Sequence, residues 1–172
     1  MKHSAKNGEQ PDASTCQSAI TTANVGTGTP PASPTSGGAL LDVFIPGKPI
    51  PKGSMRHVGN GRVIHDNTDL KRWMRTIELV ARRAWNMRQH REPIDAPVVA
   101  EAVFYMPRPK RPRWSRPATK PDCDKLQRAI GDGLEVAGVV KNDSRIVEWY
   151  RPRKYYADPQ HPMGARVKVW AA

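Results

Sequence analysis

Regular alternation of apolar and polar positions begins at residue 41. Leu41-Asp42-Val43-Phe44-Ile45 has period two and stops at Pro46-Gly47, which predicts a short strand. A basic loop follows, from Lys48 to Arg62. Leu70, Trp73, Met74, Ile77, Val80, Ala81 and Ala84 then recur at spacings of three and four, the mark of an amphipathic helix of about four or five turns. Asn67, Thr68 or Asp69 is placed to cap it, and Lys71, Arg72, Arg75, Arg82 and Arg83 occupy its other side. Residues 97 to 105 read as a second strand. A second helix is predicted from near Asp124 to Ala137, with Gly138 terminating it. Two further strands, about 146 to 156 and 165 to 170, are joined by a turn-rich segment at 158 to 164. The order β-α-β-α-β-β predicts a small α+β domain, a mixed sheet with two main helices on one side.

The first 40 residues are different in kind. They are rich in Ser, Thr, Gly, Ala and Pro, a composition that buries too little apolar surface to offset chain entropy, so residues 1–40 are expected to be a disordered tail and 41–172 the folded domain. A length of 172 residues suits a single domain. No stretch approaches the roughly 18 apolar residues of a membrane helix. Two cysteines, Cys16 and Cys123, support neither a disulfide framework nor a zinc site, and no apolar signal segment follows Met1, so the expectation is a cytoplasmic protein with no membrane partner.

Charge sharpens the picture. The chain has 28 Lys and Arg against 16 Asp and Glu, a formal +12, and the tail contributes nothing to it, because Lys2 and Lys6 balance Glu9 and Asp12. The whole excess lies in residues 41–172, where it implies a polyanion partner, since cations that displace condensed counterions from phosphate drive nucleic-acid binding. Arg108, Lys110, Arg111, Arg113 and Arg116 alternate with prolines in a loop that no sheet interior could hold.

Within so basic a domain the acids stand out: Asp122, Asp124, Asp132, Glu135 and Asp143 fall within 22 consecutive positions. On a helix starting at Asp124, positions 124, 128, 132 and 135 share one face and Leu126, Ile130, Leu134 and Ala137 the opposite one. Asp122 precedes the helix, and the segment 138–142 is long enough to bring Asp143 back beside it. Three carboxylates from two segments suit a hard divalent cation, Mg²⁺ or Mn²⁺, which in a phosphodiester nuclease activates water and stabilises the leaving oxygen. The same spacing equally allows a capping Asp at a helix start, Asp132 and Glu135 as partners of Arg128, and Asp143 as an ordinary turn residue. Spacing alone leaves both readings open.

The stretch Lys120-Pro121-Asp122-Cys123-Asp124-Lys125-Leu126-Gln127-Arg128, then Asp132-Gly133-Leu134, then Lys141-Asn142-Asp143-Ser144-Arg145-Ile146, resembles the signature of the RusA-type Holliday junction resolvases: Pro-Asp-x-Asp-Asn-Leu-x-Lys, Asp-x-Leu and Asp-Asp-Ser/Ala-x-Val. Ile45 to Arg56 is similar to that family's opening strand and Pro-x-Pro-Lys loop, and Phe104 to Lys110 to the strand before its acidic motif. The resemblance covers about 41 to 157. It implies a homodimeric, Mg²⁺-dependent endodeoxyribonuclease, bacterial or phage-encoded, that recognises four-way DNA junctions by shape and nicks two strands symmetrically in recombination and repair. By position it makes Asp122, Asp124 and Asp143 the metal-binding catalytic carboxylates and puts Arg128 where the family's functional lysine stands. Three residues depart from the pattern: Lys125 replaces Asn, Arg128 replaces Lys and cannot act as a base, and Asn142 replaces the first Asp of the final pair.

Other residues carry paired readings. Lys52, Arg56, Arg108, Lys110, Arg111 and Arg113 are expected to contact DNA phosphates, or to be solvated loop cations. Lys154 is counted with these DNA contacts, on a strand from which it could approach the acids, or else it protects a sheet edge. Trp114 stacks on an exposed base or packs on its own domain, Trp73 and Trp85 belong to the core or a dimer interface, and His57 and His65 to the surface. No Gly-rich phosphate loop and no Ser/His/Asp arrangement is present. The functional alternatives are a non-catalytic basic DNA-binding protein and a nuclease acting on flaps or forks.

Overall fold

A computed structural model describes residues 38–53, 57–58, 62–63, 68–88 and 92–172. The expected disordered tail lies almost wholly outside these residues, as do Arg56, His65 and Asn67. The elements are β1 (Leu41–Pro46), the two-residue strands β2 (His57–Val58) and β3 (Arg62–Val63), α1 (Thr68–Met87), β4 (Val98–Met106), α2 (Cys123–Val136), a short 3₁₀ turn (Asp143–Arg145), β5 (Ile146–Trp149), β6 (Arg153–Tyr156) and β7 (Gly164–Ala171). This is the α+β domain read from the pattern, with two helices and a mixed five-stranded sheet.

In the sheet β7 lies between β1 and β4, antiparallel to both, while β5 and β6 pair in parallel with the far edge of β4. Because side chains alternate along a strand, Val98, Ala102 and Phe104 of β4 share one face, and they join Val167 and Val169 of β7 in a single buried cluster with both helices. Trp73, Ile77, Ala81 and Trp85 are the α1 contribution, which places both indoles in the core, and Leu126, Ala129, Ile130 and Leu134 are that of α2. The other sheet face is polar and aromatic. Arg166 donates to both oxygens of Asp42 (3.0 and 2.9 Å), Arg153 pairs with the buried Glu101, and Tyr105 stacks against Tyr155 and His161.

The continuous strand expected over 146 to 156 is instead two strands. Arg151 has a positive φ of 42° and is followed by Pro152, which has no N–H for the ladder, so the chain breaks there and resumes pairing further along β4. Val147 is the extra residue between the Val98↔Ile146 and Val99↔Glu148 pairs and is exposed, as a bulged residue would be. The end of α2 follows the expectation. Gly138 takes φ 74°, its N–H donates to the carbonyl of Glu135 and that of Val139 to Leu134, which satisfies carbonyls at the helix end. Arg82 of α1 adds a guanidinium bond to the Val136 carbonyl (2.8 Å), a cation at the negative end of the helix.

Candidate metal-binding and DNA-contacting site

The site is built on the outward face of α2. Its apolar residues hold the helix against the core, which turns Asp124 and Arg128, one helical turn apart, to solvent. Asp122 stands at the N-cap position, yet its side chain makes no capping hydrogen bond. Its carboxylate is instead half-exposed and 3.4 Å from the Lys125 ammonium. The capping role open to it in the sequence is therefore not taken.

Two flanks bracket this face. On one, the Lys52 loop docks on the first turn of α2: the Lys52 N–H donates to the Lys125 carbonyl (3.0 Å), and the Lys52 ammonium pairs with Asp132. On the other flank, the 3₁₀ turn brings Asp143 over Gly131, where a glycine leaves room; an added Cβ would stand 3.7 Å from that of Asp143. Glu135 accepts from the Asp143 N–H (3.1 Å) and from the Asn142 side chain (3.4 Å). Thus Asp132 and Glu135 are engaged elsewhere and neither serves Arg128. Among the described residues, Asp124, Arg128 and the Asp143 carboxylate have no hydrogen-bond or ion-pair partner.

Asn142 has a structural account. Its Oδ1 accepts from the Ser144 N–H (3.0 Å) while its amide donates to Glu135. An aspartate there could accept the first bond but not make the second, and would repel Glu135. Asp95 secures the turn from outside, 2.6 Å from the Lys141 ammonium and 2.8 Å from the Arg145 guanidinium. Hydrogen bonds from these two cations, Lys141 first, lower the Asp95 pKa.

Lys154 was expected either to approach the acids or to guard an edge. It lies on β6, beside β4, and its ammonium donates to the carbonyls of Thr119 (2.9 Å) and Pro121 (2.8 Å), in the segment that leads into Asp122. Arg108, Lys110, Arg111 and Arg113 are exposed along the preceding loop. Arg108 lies over the Tyr156 ring (5.7 Å), Arg113 over Trp114 (4.6 Å) and Arg116 over Tyr155 (5.0 Å). Sequence reading missed Gly131, Lys154 as a brace, Asp95 and Tyr156. Only Gly131 had a visible signal, a glycine interrupting a helical pattern between acids.

The chemistry of the donors fits a hard cation: three exposed carboxylates, two of them without a partner among the described residues, although the free, half-buried Cys123 lies between Asp122 and Asp124 in the chain. Among the described residues no three acidic, His or Cys side chains are gathered closely enough to hold a metal ion by themselves. Asp143 is opposite Gly131, about 10 Å along the helix from Asp124 by helical rise.

Fold and site together describe a basic domain with an open acidic face. Residues 46–169 match the family model of the RusA endodeoxyribonucleases, and since that is well over half of the chain, the protein belongs to this family. No curated protein matches the chain. No helix among the described residues is long and apolar enough to cross a membrane.

Proposed function

We propose that this protein is a Mg²⁺-dependent endodeoxyribonuclease that resolves four-way DNA junctions by paired symmetric nicks. The observation that carries the reading is the state of the α2 face and the turn beside it: Asp124, Arg128 and the Asp143 carboxylate are exposed and have no partner among the described residues, beside a Lys- and Arg-rich loop, in a chain of the RusA family. Charged groups left unneutralised among so many available opposite charges are suited to a ligand that brings its own.

Asp122, Asp124 and Asp143 are the residues that would supply carboxylates to Mg²⁺, or to Mn²⁺ as an alternative occupant, and since no three acids are gathered at one point among the described residues, substrate phosphate and water would have to complete the coordination. A bound divalent ion supplies activation of water and stabilisation of the leaving oxygen. The remaining work falls to the protein's own side chains. Arg128, always protonated, binds a non-bridging oxygen of the scissile phosphate and does not serve as a base. Lys52, Arg56 and the 108–113 cations hold the flanking backbone. Lys154 keeps the segment before Asp122 in place. A homodimer follows from the substrate, because a four-way junction has approximate two-fold symmetry and two copies would set one site at each of two related strands. Use in recombination and repair, in a bacterial or phage-infected cytoplasm, is the setting this activity fits.

The test is cleavage of a synthetic four-way junction with and without Mg²⁺, alongside Asp124→Asn. Wild type is expected to nick in pairs, and the variant to bind the junction within about threefold of wild type while losing at least a hundredfold in cleavage rate, as loss of a charged catalytic group does. Equal cutting by both would overturn the assignment of Asp124. Binding with steep salt dependence and no nicking would indicate the non-catalytic DNA-binding protein instead. Faster cutting of flaps or forks in the same panel would move the substrate.

A further inference from the structure

A cleft of about 1090 Å³ opens beside the acidic face, between the 48–53 loop, the 106–121 segment and the first turn of α2, and it ends at Asp122. That volume lies at the large end of the roughly 300–1,000 Å³ of small-molecule sites, so the chemistry of the lining decides what the cleft takes. Its charged lining consists of Lys48, Arg108, Arg111, Arg113, Lys120 and Lys125 against the single acid Asp122. Between these cations its walls are apolar: Ile50, Met106, Tyr156, Trp114 and six prolines. Prolines hold φ fixed and present no N–H, so the walls are stiff and offer little to a hydrogen-bonding ligand.

Paired DNA does not match this surface. A duplex turns its phosphates outward and hides its bases, so an apolar wall of this depth would face phosphate. An unpaired chain satisfies both parts, with phosphates on the cations and base faces on the apolar and aromatic wall. Trp114 is the side chain most available for this: 42 % of its surface is exposed, although Arg113 already covers part of the ring. The exposed part of the indole offers a flat surface on which the face of an unpaired base can stack.

We propose that this cleft is a subsite for an unpaired stretch of DNA adjoining the cleaved strand, with Trp114 as the platform on which a base stacks and Lys48, Arg108 and Arg111 as its phosphate contacts. The inference deepens the nuclease reading and rests on it for the identity of the neighbouring centre. It makes local opening of the DNA beside the cut part of how the substrate is selected, and Trp114 a specificity-determining residue.

The experiment measures binding by fluorescence anisotropy, without divalent ions, of the full chain to labelled oligothymidine and to a fully paired duplex. Trp114→Ala is expected to weaken oligothymidine binding about tenfold, within the range for loss of one stacked base. Trp114→Phe is expected to keep most of the affinity, and both variants to bind duplex within twofold of wild type with an unchanged salt slope. Thermal melting confirms that each variant folds. Unchanged oligothymidine binding by folded Trp114→Ala, or an equal loss on duplex, overturns the proposal even if the junction is still cut. Trp114-dependent binding by a protein that cuts nothing supports the cleft and sinks the nuclease reading, so the two failures are separable.

Discussion

Lys154 stands far from Asp122 in the chain, yet its ammonium ends on the two carbonyls that lead into it. Each is a charge-assisted bond to a partly solvated acceptor, and together they fix where α2 begins. Lys154→Met is expected to lower stability by about 1–2 kcal/mol. Its larger effect should be on single-turnover cleavage, which falls while junction affinity without divalent ions and its salt slope hold. A drop in affinity with a shallower slope would instead mark Lys154 as a phosphate contact. At this scale the sequence was informative where a residue type contrasts with its surroundings. Asp122, Asp124 and Asp143 stand out because acids are scarce in a basic domain, whereas Arg128 is marked only by its place in the family pattern. The partners of Lys154 do not, because a backbone carbonyl carries no residue identity. Nor could spacing reveal that Asp132 is taken by Lys52 and Glu135 by the Asp143 turn, which is what leaves Arg128 available.

Within α2, Gly131 and Gly133 lie two residues apart and have opposite roles. A Cβ on Gly133 would collide with the Cγ2 of Ile77, a fully buried residue of α1, so the two helices touch at this point because there is no side chain between them. On Gly131 the same atom would meet Asp143, Ile146 and Trp149 only at ordinary contact, 3.7 to 3.9 Å. Gly133→Ala is therefore expected to cost about 1–3 kcal/mol by overpacking. Gly131→Ala should be neutral or stabilising by up to about 1 kcal/mol through helix propensity. Urea unfolding midpoints compare them directly, and equal effects would contradict the packing account. Both helices were legible because their apolar positions repeat over several turns. The third strand was misread as continuous because its β-branched and aromatic residues run on through Arg151-Pro152, although the proline itself signalled a break.

The molecule's charge excess lies wholly beyond residue 40. Some of its cations are already engaged: Lys52 with Asp132, Lys141 and Arg145 with Asp95, Arg166 with Asp42. Others, such as Lys110 and Arg111, have no ion pair among the described residues and can release counterions fully on binding. Affinity for junction DNA is expected to fall at least about a hundredfold between 50 and 200 mM salt, and Arg111→Ala to make the log–log slope shallower by about one unit. Anisotropy titrations across salt concentrations measure both, and an unchanged slope would remove Arg111 from the interface. A chain this basic meets polyanions wherever it is made, and crowding many copies on one DNA would place sheet edges side by side. The break at Arg151 and Pro152 bears on that hazard. It divides the β5/β6 edge of the sheet into two four-residue strands, with Val147 bulged at the start of the first, so that edge offers no long flat row of backbone donors and acceptors to a neighbour. An interruption in one strand thereby discourages the strand-to-strand association that leads to aggregation.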